Sequence, residues 1–157
     1  MNLEYLNIYN NLIKLTRNKS LYIKLSINET FSDRIMFFFF HFAFFLKAFK
    51  SEKSKKKLQK IYDFNFKQIE ISLREIGYGD QSINKKMKIY INIFHSIIDK
   101  INDWENLSYF QKSSIFKNYL NESVNIEFFN EYFDKYRVFL LKNTLNYFTK
   151  DIKVLKF

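Results

Sequence analysis

The stretch Ser72-Leu73-Arg74-Glu75-Ile76-Gly77-Tyr78-Gly79-Asp80 separates two apolar stripes and decides how the chain folds. Before it, Leu58, Ile61, Tyr62, Phe66, Ile69, Leu73 and Ile76 recur three and four residues apart, as one face of a helix requires. After it, Ile83, Met87, Tyr90, Ile91, Phe94, Ile97, Ile98 and Ile101 repeat the pattern. Gly77 and Gly79 are the only two glycines, and there is no proline. Gly77 is placed as the left-handed residue just past a helix end, and Gly79 as the residue that lets the chain reverse again. Asp80 or Ser82 then serves to cap the following helix. The spacing therefore predicts an αα-hairpin with a short, rigid corner.

Working outward, the 157 residues suit a single all-α domain (1–157) of about six helices around a buried, Phe-rich central helix. Such a length buries roughly two thirds of the unfolded surface. The preference for Ile, Lys, Asn, Phe and Tyr over Ala, Gly, Arg and Pro reads as the imprint of an AT-rich genome. Part of the +10 net charge is then lysine drift. Its sign still favours anionic lipid, RNA or acidic protein surfaces. The absence of cysteine excludes disulfides, thiol catalysis and thiolate metal sites. Met1-Asn2-Leu3-Glu4-Tyr5 resembles neither a secretory signal nor a transit peptide, so the expected location is the cytoplasm.

Leu3 to Thr16 reads as a first amphipathic helix, ended by the polar residues Arg17 to Ser20. Leu21 to Ile27 fits a short strand or, as we expect, a partly helical turn. Thr30-Phe31-Ser32-Asp33 has capping-box spacing. Ile35 to Leu46 follows, twelve residues with His41 as the only polar member, too short for the about 20 residues that span a bilayer. Its plain reading is a helix buried on all sides. A sharper one leaves part of its Phe face exposed as a docking groove.

Lys47, Lys50, Lys53, Lys55, Lys56, Lys57 and Lys60 come next, with Glu52 the only acid among them. They form either a solvated face or a membrane-surface contact, centred on Lys53, Lys55, Lys56 and Lys57. Near anionic lipid each basic residue adds about 1 kcal/mol. The helix from Ser82 to Ile101 holds Lys85, Lys86 and Lys88 in its opening turns, against its own dipole. Asn106 or Ser108 starts a short helix running to Leu120, and Ser108-x-x-Gln111 has capping-box spacing. The last helix begins near Asn125 and runs past Tyr147, with Phe129, Tyr132, Phe133, Tyr136, Leu140 and Tyr147 as its stripe.

No constellation for catalysis, cofactor or metal emerges. His41 and His95 are the only histidines, and both read as core residues bonded through their rings. Gly-Tyr-Gly-Asp follows a helix rather than a strand, so it cradles no phosphate, and Ser72 and Ser82 have no apparent base. A non-enzymatic protein without cofactor or small-molecule substrate is the expectation. Only four of the 26 basic residues are arginine: Arg17, Arg34, Arg74 and Arg137. Arginine's planar fork suits a fixed bidentate partner. Arg74 either locks the corner by pairing with Asp80 or Glu75, or joins Asp80, Lys85 and Lys86 in a polar recognition edge.

The central stretch, with Ser82 and Lys85-Lys86-Met87-Lys88, resembles the signature of the ubiquinol–cytochrome c reductase chaperone family. Leu21-Tyr22, Asp33-Arg34 with the Phe run and His41, and Lys117-Asn118-Tyr119 resemble its other motifs, over most of residues 5–120. Ile76 stands where that family has Met, and Lys86 where it has Arg. The resemblance implies an assembly chaperone that binds newly made cytochrome b and assists biogenesis of the bc1 complex. Its implied partners are this client, a small partner subunit, the ribosome, and the anionic inner membrane of an alphaproteobacterium, met peripherally. The implied partner-binding residues are Arg74, Glu75, Gly77, Gly79, Asp80, Ser82, Lys85 and Lys86, beside a groove between the Phe helix and the hairpin. A basic helical nucleic-acid-binding module is the alternative that charge alone supports.

Overall fold

A computed structural model describes residues 2–28 and 30–157. Among them the chain forms α1 (Leu3–Thr16), α2 (Lys19–Leu25), α3 (Phe31–Phe49), α4 (Lys55–Ile76), α5 (Asp80–Ile101), α6 (Tyr109–Tyr119), α7 (Ile126–Leu141) and α8 (Leu145–Phe148), with a 3₁₀ turn at Trp104–Asn106. The described residues thus hold eight α-helices, two more than the sequence pattern predicts.

Every residue from Ile35 to Phe45 is buried, as the plain reading of the Phe run expects. α3 is enclosed because its rings leave in several directions at once. Phe39 and Phe42 meet Phe94 of α5 at 5.3 and 5.1 Å between centroids. Phe40 meets Phe116 of α6 at 5.0 Å, and Phe44 stacks on Phe133 of α7 at 5.3 Å. Phe45 meets Phe148 of α8 at 5.6 Å. α1 covers the remaining side of α3, and α4 packs across α1 and α5.

His41 is the polar rivet of this core. Its Nδ1–H donates to the Phe37 carbonyl at 2.8 Å, which leaves Nε2 to accept from the Tyr132 hydroxyl. The Tyr136 hydroxyl donates to the His41 carbonyl at 2.9 Å, so α7 is hydrogen-bonded to α3 twice through one residue. Burial pushes the imidazole down to about 3, against the opposing effect of the Phe37 carbonyl, and the ring is neutral. His95 departs from its expected role: it lies on the exposed side of α5, where Nε2 meets only the Tyr62 hydroxyl at 2.9 Å.

Local signals set most boundaries. The Thr30 hydroxyl accepts from the Asp33 N–H, Ser108 and Gln111 form a reciprocal capping box, and the Asn125 side chain accepts from the Phe128 N–H. The last helix is shorter than its stripe predicts. Asn143 donates to the Phe139 carbonyl at 2.7 Å and Thr144 caps α8, so the chain breaks after Leu141. Phe148 rather than Tyr147 then turns inward. Beyond α8, the buried Asn11 ties the final segment to α1. Its amide donates to the Phe148 and Lys150 carbonyls at 3.0 and 2.9 Å, and its oxygen accepts from the Ile152 N–H at 3.4 Å.

Candidate binding surface

The hairpin corner is closed by backbone bonds. The Tyr78 N–H donates to the Leu73 carbonyl at 3.2 Å and the Gly77 N–H to the Arg74 carbonyl at 3.0 Å, the paired bonds of a Schellman ending. Gly77 sits at φ +110°, where an L side chain is strained. Gly79 differs from expectation: it is extended (φ −79°, ψ 166°) and is itself the N-cap of α5, so no glycine is needed there for the turn. Neither Asp80 nor Ser82 caps that helix, because Asp80 is already its first residue and turns towards Arg74.

Arg74 bridges Asp80 across the corner and Glu70 one turn back at 3.2 Å, with Lys67 completing the row at 3.2 Å from Glu70. Lys67 first, and then Arg74, holds the Glu70 carboxyl below its ordinary value. The locking role foreseen for Arg74 is therefore real, with Glu70 in the place offered to Glu75. Exposed pairs of this kind contribute little to stability; they fix geometry. The Lys86 ammonium lies over the Tyr78 ring at 4.8 Å, while Ser82, Lys85 and Gly79 face solvent.

The lysine cluster does not join this corner. Lys53, Lys55 and Lys56 are exposed at the start of α4, about 30 Å along the helix from Gly77. Lys57 pairs with Glu4 of α1 at 3.2 Å and so belongs to the packing.

A groove exists between the Phe helix and the hairpin, as expected, on the side of the hairpin's α4 arm. Between α3 and the α5 arm of the hairpin, the Phe39, Phe42, Phe94 and Tyr90 rings leave no opening. The cleft, about 280 Å³, lies instead between α1, α3 and α4. Tyr9 and Ile13 form one wall, Phe31, Ile35 and Phe38 the floor, and Ile69, Ser72, Glu75 and Ile76 the other wall. Of the residues expected to bind a partner, Glu75 alone lines it. The rest of the corner follows directly on from that wall.

Sequence reasoning missed Tyr9, Ile13, Thr16, Arg17, Phe31 and Arg34 as cleft residues. One signal was available: in a lysine-biased chain, two of the four arginines, Arg17 and Arg34, lie at its mouth.

Among the described residues, no three His, Asp or Glu side chains gather as a metal centre needs, and no helix is long and apolar enough to cross a membrane. What fold and cleft define is a helical binding protein. Residues 24–102, half of the chain, match the family model described as ubiquinol-cytochrome C chaperone, and the chain belongs to that family. Its role is therefore that of a chaperone in bc1 complex assembly. The crystal structure of the Cbp3 homolog from Brucella abortus has a similar fold, with a TM-score of 0.78 at 20% identity over 98% of this chain and 89% of that one. None of the curated proteins matches the sequence.

Proposed function

We propose that this chain holds newly made cytochrome b during bc1 assembly, seating an apolar client segment in the α1–α3–α4 cleft and performing no chemistry on it. One observation carries the reading: the family's signature corner and the cleft share the last turn of α4. Glu75 and Ile76 line the cleft, and Gly77 to Asp80 follow at once. The corner thus sets the angle at which a seated segment meets Gly79, Ser82, Lys85 and Lys86. Ile76, 56% exposed at the rim, is an apolar side chain that the fold itself leaves uncovered.

Lys53, Lys55 and Lys56, at the far end of α4, supply the peripheral contact with anionic membrane or ribosome, at about 1 kcal/mol each near anionic lipid. A small partner subunit has the exposed remainder of α5 available to it. The test is purification of the tagged protein from membranes. Cytochrome b should accompany it and should be lost in Ile76→Asp. Recovery of nucleic acid with strongly salt-dependent affinity, and no cytochrome b, would establish the nucleic-acid module instead.

A further inference from the structure

The cleft is graded along its length. Its walls run for about two helical turns, near 12 Å, and all its charged groups lie at one end. Arg17 is the C-cap of α1, Arg34 lies in the first turn of α3, and Glu75 in the last turn of α4. Phe38 and Ile69 line the other end, and the Tyr9 hydroxyl, beside Ser72, lies within the electrostatic reach of Arg17 and Glu75. Arg17 and Arg34 are exposed, and among the described residues no carboxylate lies within 4.0 Å of either. Arg74, by contrast, has two acidic partners on the same helix end. The mouth therefore carries two uncommitted guanidiniums against one carboxylate, next to an apolar floor.

From this arrangement we infer that the cleft selects a client helix carrying a carboxylate at one end of its apolar face, which Arg17 and Arg34 grip while the apolar residues fill the floor. The inference rests on the client-binding reading above and adds which segment is chosen. Charge complementarity supports it: a guanidinium fork matches a carboxylate bidentately, and such charge-assisted bonds are the strong ones. Shape supports it as well. Walls of two turns accept side chains at i, i+3 and i+4 of a docked helix, whereas a lipid acyl chain spanning a leaflet of about 15 Å would overrun them.

The experiment uses the full chain and labelled helical peptides of about 18 residues, long enough to hold helix. Each carries a leucine stripe ending in a single Glu or Gln, and binding is read by fluorescence anisotropy. The Glu peptide should bind about tenfold tighter than the Gln peptide. Arg17→Gln/Arg34→Gln should erase that ratio, weakening the Glu peptide about tenfold more than the Gln peptide. Both side chains are exposed, so the variant's thermal unfolding should match the parent's and serves as the folding control. Equal affinity for the two peptides overturns the selectivity and leaves the chaperone reading standing. If neither peptide binds while cytochrome b still co-purifies, the client sits outside the cleft: the inference and the seating proposed above fall together, and the chaperone role stands. Displacement of the Glu peptide by phosphatidylglycerol vesicles, dependent on both arginines and absent with phosphatidylcholine, assigns the site to a lipid phosphate and overturns it too.

Discussion

The two glycines of the corner make opposite predictions although they stand two residues apart. At Gly77 an added Cβ meets no atom within 4 Å, so the whole cost of Gly77→Ala comes from its φ of +110°. Left-handed backbone costs an L residue about 1–2 kcal/mol, and this φ lies well beyond the left-handed well, so the upper part of that range applies. Gly79 is also free of neighbours, but its backbone is extended and it occupies an N-cap with no side-chain cap. Gly79→Ser supplies a hydroxyl to the free N–H groups and reduces unfolded-state entropy, and should stabilise by about 0.5–1 kcal/mol. Trp104, the sole tryptophan, is 1% exposed and reports unfolding directly. With a urea dependence of about 2 kcal/mol/M, Gly77→Ala, at about 1.5–2 kcal/mol, should lower the midpoint by roughly 0.75–1 M and Gly79→Ser should raise it. Midpoints that move the same way by similar amounts would refute the assignment of strain to Gly77 alone. If Gly79→Ser strengthens the fold yet depresses bc1 levels, Gly79 is kept bare for a partner.

His41 makes stability pH-dependent. Its native value of about 3 lies below the ordinary 6.5, so the unfolded chain takes up a proton that the native core refuses, and stability falls as pH drops below 6.5. Unfolding free energy should decline by about 1 kcal/mol per pH unit on average between 6.5 and 5, a window above the range where Glu70, Glu105 and Asp151 lose their ion pairs; a flat urea midpoint there would count against a neutral, buried ring. His41→Leu should cost about 1–3 kcal/mol by depriving the Tyr132 hydroxyl of its acceptor, while Tyr132→Phe together with it recovers part of the loss in a double-mutant cycle. Asn11→Ala removes three bonds to the final segment and should destabilise by about 2–3 kcal/mol. Limited proteolysis near Lys150 and Lys153 should accelerate accordingly. Arg74→Ala should leave the thermal midpoint nearly unmoved and lower bc1 content, measured by the cytochrome b absorbance of membranes.

The helices were legible wherever the signal is local. The stripe before Gly77, the Thr30 and Asn125 caps and the Ser108–Gln111 box each mark a boundary within a few residues of themselves, and the structure places helix ends there. The break at Asn143-Thr144 was hidden because two polar residues also fit the outer face of a continuing helix; the contacts of Phe148 with Phe45 and Phe49, which favour the break, come from a distant part of the chain. His95 was misread because a histidine inside an apolar period looks buried, although its own position faces out. The cleft was the least legible part. Its Phe-helix and hairpin walls were expected, but α1, the third wall, lies far from the hairpin in the chain and carries no local signal that it completes the cleft. The excess meaning of arginine over lysine was readable, and it pointed to Arg74 when the uncommitted pair was Arg17 and Arg34.

The many-sided enclosure of α3 has a consequence for synthesis. Its Phe37 and Phe44 rings rest on Phe129 and Phe133, residues translated more than 80 positions later. Until that distant helix leaves the ribosome, a run of phenylalanine nearly as greasy as a nascent membrane segment stands uncovered. During synthesis the protein thus passes through the same uncovered state as the client proposed for it.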